Sequence, residues 1–173
     1  GRNAFSGCNK LHQVVLPISI EEIEDSSFEN CSSLKSISLP MALKTIGNGA
    51  LKGTGLRTIE IPKSVFWLGD GLVADCQSME YVKIPENIGK IPDHMFEGCT
   101  NLKKVELHEK LGAIGERAFF GCSSLDFIVI PDSVKQIGQD AFTNTDKQFI
   151  IQCSFGSYAE EYARKNKFKY QLV

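Results

Sequence analysis

Five of the six prolines in this chain follow an aliphatic residue in the same sequence setting: Leu16-Pro17, Leu39-Pro40, Ile61-Pro62, Ile84-Pro85 and Ile130-Pro131. They are spaced 23, 22, 23 and 46 residues apart, and 46 is two periods. Leu107-His108 fills the gap, with His108 in the proline slot. Other columns keep the same period. Phe5, Phe28, Phe96, Phe119 and Phe142 form one, with Leu51 and Val73 in the middle units. Cys8, Cys31, Cys76, Cys99 and Cys122 form another, with Thr54 and Thr145 as substitutes. Leu11, Leu34, Leu56, Met79, Leu102 and Leu125 form a third. The unit reads A-F-x-x-C-x-x-L-x-x-V-x-I-P-x-x-V-x-x-I-G. Six units are nearly complete, and a seventh from Gln139 is degraded.

A period of this length constrains the fold more than any single motif. One unit cannot bury its own apolar residues, so successive coils stack and share a core. The expected fold class is a strand-dominated solenoid with a parallel sheet on one side. In each unit the end of L-x-x-V-x-I alternates as a short strand, with Val82 and Ile84 inward and Tyr81 and Lys83 outward. Proline ends the strand because it has no N–H to donate. V-x-x-I returns two residues to the core, and Gly47, Gly69, Gly115 and Gly138 are expected to permit the turn that follows. The A-F-x-x-C stretch is expected to form a single helical or 3₁₀ turn on the opposite side.

"AFFGCSSLDFIVIPDSVKQIG" (Ala118–Gly138) and "SFENCSSLKSISLPMALKTIG" (Ser27–Gly47) resemble the BspA-like class of leucine-rich repeats. The resemblance covers nearly the whole chain. It implies a bacterial cell-surface or secreted protein, extracellular in location, of a kind linked to adhesion to host proteins or to other cells. It brings no set of catalytic residues.

The C-terminal segment breaks the period. Ser157 with Glu160 has the capping-box pattern for a helix at 158–166, and "FKYQLV" can add a last strand. The expected domain plan is one repeat domain over 1–173, with about seven repeats over 3–153 and a cap over 154–173. The N-terminus opens inside a unit and has no matching cap, so the chain reads as a fragment of a longer protein. A monomer is expected, and the uncapped N-terminal coil is where a strand edge would pair with another molecule.

The remaining composition narrows the function classes. A formal net charge of −2 over 173 residues supplies no field for nucleic acid. No apolar run is long enough to span a membrane. The six cysteines contain no C-x-x-C, and whole-repeat spacing is not zinc spacing. They are expected to be buried free thiols acting as small hydrophobes, Cys153 among them. His12, His94 and His108 fall in different columns and meet no nucleophile, so neither an enzyme nor a cofactor is expected. His108 is expected to be an exposed turn residue. "GTGLRT" and "GDGLVA" lack the spacing of phosphate loops.

Candidate partner-binding residues are those that put apolar groups in outward columns. One column runs Gln13, Ser36, Thr58, Tyr81, Lys104, Phe127, Ile150, and the next runs Val15, Ser38, Glu60, Lys83, Glu106, Val129, Gln152. Glu60, Lys83 and Glu106 alternate in sign and are expected to pair across strands. Tyr81, Lys104, Phe127, Val129 and Ile150 are candidates for a protein or glycan ligand, unless the C-terminal cap covers the last three. Phe66 and Trp67, the latter the only tryptophan, occupy slots that are polar or small in every other unit. Two readings are open for them. They fill the volume that Leu51 and Val73 leave in the phenylalanine column, or they form a surface hot spot with Lys90 over the indole. The function expected is non-catalytic protein or glycan binding, with a structural spacer as the alternative.

Overall fold

The computed structural model describes residues 1–173. The chain is a parallel β-solenoid of about seven turns with one helix near its C-terminus. Each complete coil holds two short strands. The first row, at the V-x-I segment, is β3 (Thr58–Ile59), β5 (Tyr81–Lys83), β7 (Lys104–Glu106), β9 (Phe127–Val129), β11 (Ile150–Cys153) and β12 (Lys169–Leu172). The second row, at V-x-x-I, is β1 (Glu22–Ile23), β2 (Thr45–Ile46), β4 (Trp67–Leu68), β6 (Lys90–Ile91), β8 (Ala113–Ile114) and β10 (Gln136–Ile137). The V-x-x-I segment therefore does more than return residues to the core. It builds a second stack of strands. Pairing is parallel and in repeat register: Val82 lies opposite Val105, and Ile91 opposite Ile114. The first two units have no first-row strand, since no backbone bond joins 11–16 to 34–39.

Forty-four buried apolar residues form one cluster, so the coils share a single core. Its spine is aromatic. Phe96, Phe119 and Phe142 stack at 5.2 Å between centroids, and Phe149 continues the stack at 5.3 Å. That step follows the spacing of hydrogen-bonded strands, about 4.8 Å. The column thins at Leu51 and Val73, both fully buried. The lost volume is replaced from the adjacent slot. Most coils carry Ala or Ser there, but two carry Leu72 and Met95, and both are fully buried.

The A-F-x-x-C segment is a chain of turns, not a helix. Alternate amides bond within the coil and to the next coil. Ser6 N donates to Asn3 O and Cys8 N to Phe5 O, while Phe5 N donates to Ser27 O. Five cysteines are buried as expected, but Cys8, in the outermost coil, is exposed; all six are free thiols. The column thiols donate to the phenylalanine-slot carbonyl of the preceding coil: Cys99 Sγ to Val73 O at 3.1 Å, Cys122 Sγ to Phe96 O at 3.2 Å. Burial pushes the Cys76 thiol up to about 11 and that of Cys122 up to about 12. The thiols are held protonated.

Two columns have causes other than those expected. Gly47, Gly69, Gly115 and Gly138 do not adopt left-handed conformations. They are glycine because a Cβ would lie 2.3–2.5 Å from an atom of the preceding coil, such as Asn48 N at 2.3 Å for Gly69. The slot after this column carries, from Asp25 to Asp93, a side-chain ladder that the period alone did not reveal. Asp25 Oδ1 accepts from Asn48 N (2.8 Å), Asn48 Oδ1 from Asp70 N (2.8 Å), Asp70 Oδ1 from Asp93 N (3.1 Å) and Asp93 Oδ1 from Glu116 N (3.0 Å).

At the C-terminus, α1 (Tyr158–Lys165) begins at Ser157, whose hydroxyl accepts from Glu160 N. The buried Glu160 carboxylate returns to Gly156 N at 2.6 Å, one residue outside the usual capping box. Tyr162 and Phe168 set their rings edge-on to Phe142 and close the spine. β12 pairs with β11 as the last strand. At the other end Phe5 stacks on Phe28 but remains 43% exposed.

Candidate functional site

The outward faces of the two strand rows carry the candidates. Each row is interrupted once. The first row divides between β7 and β9, and the second between β4 and β6.

At the first interruption no backbone bond joins 101–111 to 124–134. Leu107 N and Asp126 N donate to no carbonyl, and Lys103 O accepts from no amide. A groove of about 470 Å³ lies along this seam, lined by Lys63, Lys83, Lys104, His108, Phe127 and Val129 among others. Phe127 and Val129 are 42% and 48% exposed, so the C-terminal cap does not cover them. It does shelter Ile150, which lies between Phe127 and Lys169 and is half-buried. A second hollow of about 670 Å³, over Ile37, Thr58, Glu60 and Tyr81, shares Lys63, Lys83 and Pro85 with the first. The two adjoin along these shared residues.

The charges here are not arranged as the alternating column suggests. Glu106 takes Lys104 of its own strand at 2.7 Å, and Lys83 reaches no carboxylate. The Lys104 ammonium lies 5.8 Å from the Tyr81 ring centroid. Lys104, and after it the Tyr81 hydroxyl, hold the Glu106 carboxyl below its usual range. Burial against the strands, and then Glu106, push the Tyr81 phenol up. Tyr81, Lys104 and Glu106 thus form one linked unit, while Lys63 and Lys83 remain without acidic partners. His108 is half-buried, not an exposed turn residue. Its Nε2 lies 3.1 Å from Ile88 O and its Nδ1 accepts from Lys110 N, so the imidazole ties two coils together where proline stands elsewhere.

The second interruption lies beside Phe66 and Trp67. The gap-filling reading fails, because Leu72 and Met95 already fill the core. Phe66 is 63% and Trp67 46% exposed. The cation–π partner also fails: Lys90 turns to Asp93 at 2.9 Å instead. The structure keeps these two aromatics apart from Tyr81, Lys104, Phe127, Val129 and Ile150, since they lie on the other strand row. No cluster of three or more His, Cys, Asp or Glu side chains gathers in a way that would hold a metal ion. No helix is long and apolar enough to cross a membrane.

Among known proteins, the signature described as "BspA type Leucine rich repeat region" matches in six copies, over residues 1–125 and 34–150. A leucine-rich repeat protein from Bacteroides ovatus superposes with a TM-score of 0.83 at 30% identity, over 99% of this chain and 48% of that one. A leucine rich cell surface protein from Faecalibacterium prausnitzii gives 0.71 at 34% identity, over 79% of this chain and 37% of that one. A Treponema pallidum leucine rich repeat protein gives 0.71 at 26% identity, over 98% and 77%. No curated protein matches in sequence. The chain spans about half the length of the first of these solved relatives and less of the second. With the repeat signature over most of its length and a relative superposing end to end, this chain belongs to the BspA-type leucine-rich-repeat family.

Proposed function

We propose that this domain is a non-catalytic binding scaffold of a bacterial cell-surface or secreted protein, and that it holds a protein or glycan partner in adhesion. The first-row groove carries the reading. There Phe127 and Val129 stay exposed beside a seam with free backbone donors and an acceptor. Solenoid coils fix these groups on a rigid frame, which limits the ordering cost of association. Exposed apolar groups within a polar, solvent-accessible rim have the anatomy of an interaction surface. The likeness to a leucine rich cell surface protein supports the location.

A panel of host extracellular-matrix proteins and glycans, and intact epithelial cells, tests the proposal by surface plasmon resonance and cell binding. Phe127→Ala with Val129→Ser is expected to weaken association at least tenfold while Tm stays within a few degrees. A spacer that separates other domains is the second reading, supported by the greater length of the solved relatives. It predicts that no member of the panel binds.

A further inference from the structure

The interruption between β4 and β6 is a built feature with a definite cause. In every other coil from the second onward, the residue after V-x-x-I is a glycine whose N–H bonds the preceding coil: Gly69 to Ile46 O, Gly115 to Ile91 O, Gly138 to Ile114 O. In the fourth coil that residue is Pro92, the one proline outside the repeat column, and it has no N–H for Leu68 O. The bond below it is lost too. Gly112 N donates to Gly89 O at 2.8 Å, but Gly89 N donates to nothing, and Phe66 O accepts nothing. No Cα of Trp67–Leu68 lies within 8 Å of one of Lys90–Ile91. Paired strands stand about 4.8 Å apart.

The opening is bounded at both ends. Asn87 Nδ2 donates to Val65 O at one end, and Asp93 N donates to Asp70 Oδ1 at the other. Leu68 and Ile91 are buried beneath it, so the slot is shallow. Phe66 and Trp67 wall one side. The other side is bare: a Cβ on Gly89 would meet nothing within 4 Å, and the next coil has Gly112 and Ala113. The two lysines that flank the slot are already paired, Lys44 with Glu21 at 2.7 Å and Lys90 with Asp93 at 2.9 Å.

We propose that this slot binds a neutral oligosaccharide, with one pyranose ring stacked on Trp67 and its hydroxyls on Phe66 O and Gly89 N–H. A pyranose has an apolar C–H face for the aromatic wall and a rim of hydroxyls that both donate and accept. That matches a site with two free acceptors, Phe66 O and Leu68 O, one free donor, Gly89 N–H, and two exposed rings. An anionic ligand finds no unpaired lysine at either flank. An inserted β-strand would have to point every second side chain inward, where Leu68 and Ile91 leave no room. This inference rests on the reading of the domain as a binding scaffold and assigns a ligand class to a second face.

Trp67 is the only tryptophan, so its fluorescence reports on the slot alone. The probes are a panel of neutral gluco-, manno-, galacto- and N-acetylglucosamine oligosaccharides, with a hyaluronan tetrasaccharide and an uncharged extended decapeptide as contrasts. A neutral oligosaccharide is expected to shift Trp67 emission to the blue and saturate. Gly89→Val, which fills open space without a clash, is expected to weaken that binding at least tenfold at unchanged Tm. Phe127→Ala is expected to leave it intact. The proposal is overturned if no neutral oligosaccharide shifts the emission, if Gly89→Val binds like wild type, or if only the peptide or hyaluronan responds. If partner binding through Phe127 persists while the panel leaves Trp67 silent, only the slot assignment falls. If both are silent, the scaffold reading falls with it.

Discussion

Phe119 and Trp67 are both large aromatics of the same 22–23-residue repeat, and the solenoid uses them in opposite ways. Phe119 is fully buried, with Phe96 on one face and Phe142 on the other. Trp67 stands half-exposed at the edge of an interrupted strand stack. The difference is one of register, not of residue type. A slot that every coil fills with an apolar group becomes the spine. A slot that is polar elsewhere points outward, and an aromatic there is available to a partner.

The comparison can be broken most directly at the spine. Phe119→Ala removes a ring stacked on both faces and should cost about 3–5 kcal/mol, as large-to-small core substitutions do. Urea unfolding measures it. A cost below that of an exposed substitution would mean that the spine is not what holds the coils. Leu72→Ala sharpens the point, because Leu72 supplies volume that Val73 lacks. It should cost about 2–5 kcal/mol by the same measurement. A small loss there would reopen the idea that Phe66 or Trp67 fills the gap.

The thiols give a second contrast between inside and outside. In native protein at pH 8 only Cys8 should react with a thiol reagent, and six thiols should react in denaturant. The raised values of Cys76 and Cys122 also carry a sign. Folding favours the protonated thiol, so this stability is present below the unfolded value, about 8.5, and is lost as pH climbs toward 11–12. Cys122→Thr, the replacement that Thr54 and Thr145 already make in this column, should flatten the alkaline fall in stability. An unchanged pH profile would remove Cys122 as a contributor.

The smaller effects concern the seam. Pro92→Gly restores an N–H opposite Leu68 O, worth about 0.5–1.5 kcal/mol. It also adds unfolded-state freedom that costs about 0.4–1 kcal/mol, so the net change should stay within about 1 kcal/mol. Hydrogen exchange is the better readout. The Gly89 amide should exchange quickly in wild type and slow in the variant. Continued rapid exchange would acquit Pro92 as the cause of the interruption. Trp67→Ala is the smallest, within about 0.5 kcal/mol, the range of surface substitutions away from packed features. A loss of several kcal/mol would return Trp67 to the core.

Much of this was legible from the period. The spacing of prolines, phenylalanines and leucines gave the coils, their stacking and the inward and outward columns. Ser157 and Glu160 gave the closing helix. The outward positions of Phe127, Val129, Phe66 and Trp67 followed from register. The reasons behind several columns did not. The glycines looked like turn formers, yet they are set by the backbone of the neighbouring coil. His108 looked like a substituted turn residue, yet its ring reaches Ile88. Asp25, Asn48, Asp70 and Asp93 recur at the repeat interval, and their regular spacing was the signal that would have exposed the ladder.

Sequence alone determined which residues belong to which coil, because a hydrophobic period is a local property of the chain. The tertiary structure decided where neighbouring coils fail to bond. Pro92 lacks an N–H in any fold, but the loss matters only once stacking sets it opposite Leu68 O. Whether a missing donor becomes a slot depends on the coil beside it, some twenty residues away, and no single repeat contains that information.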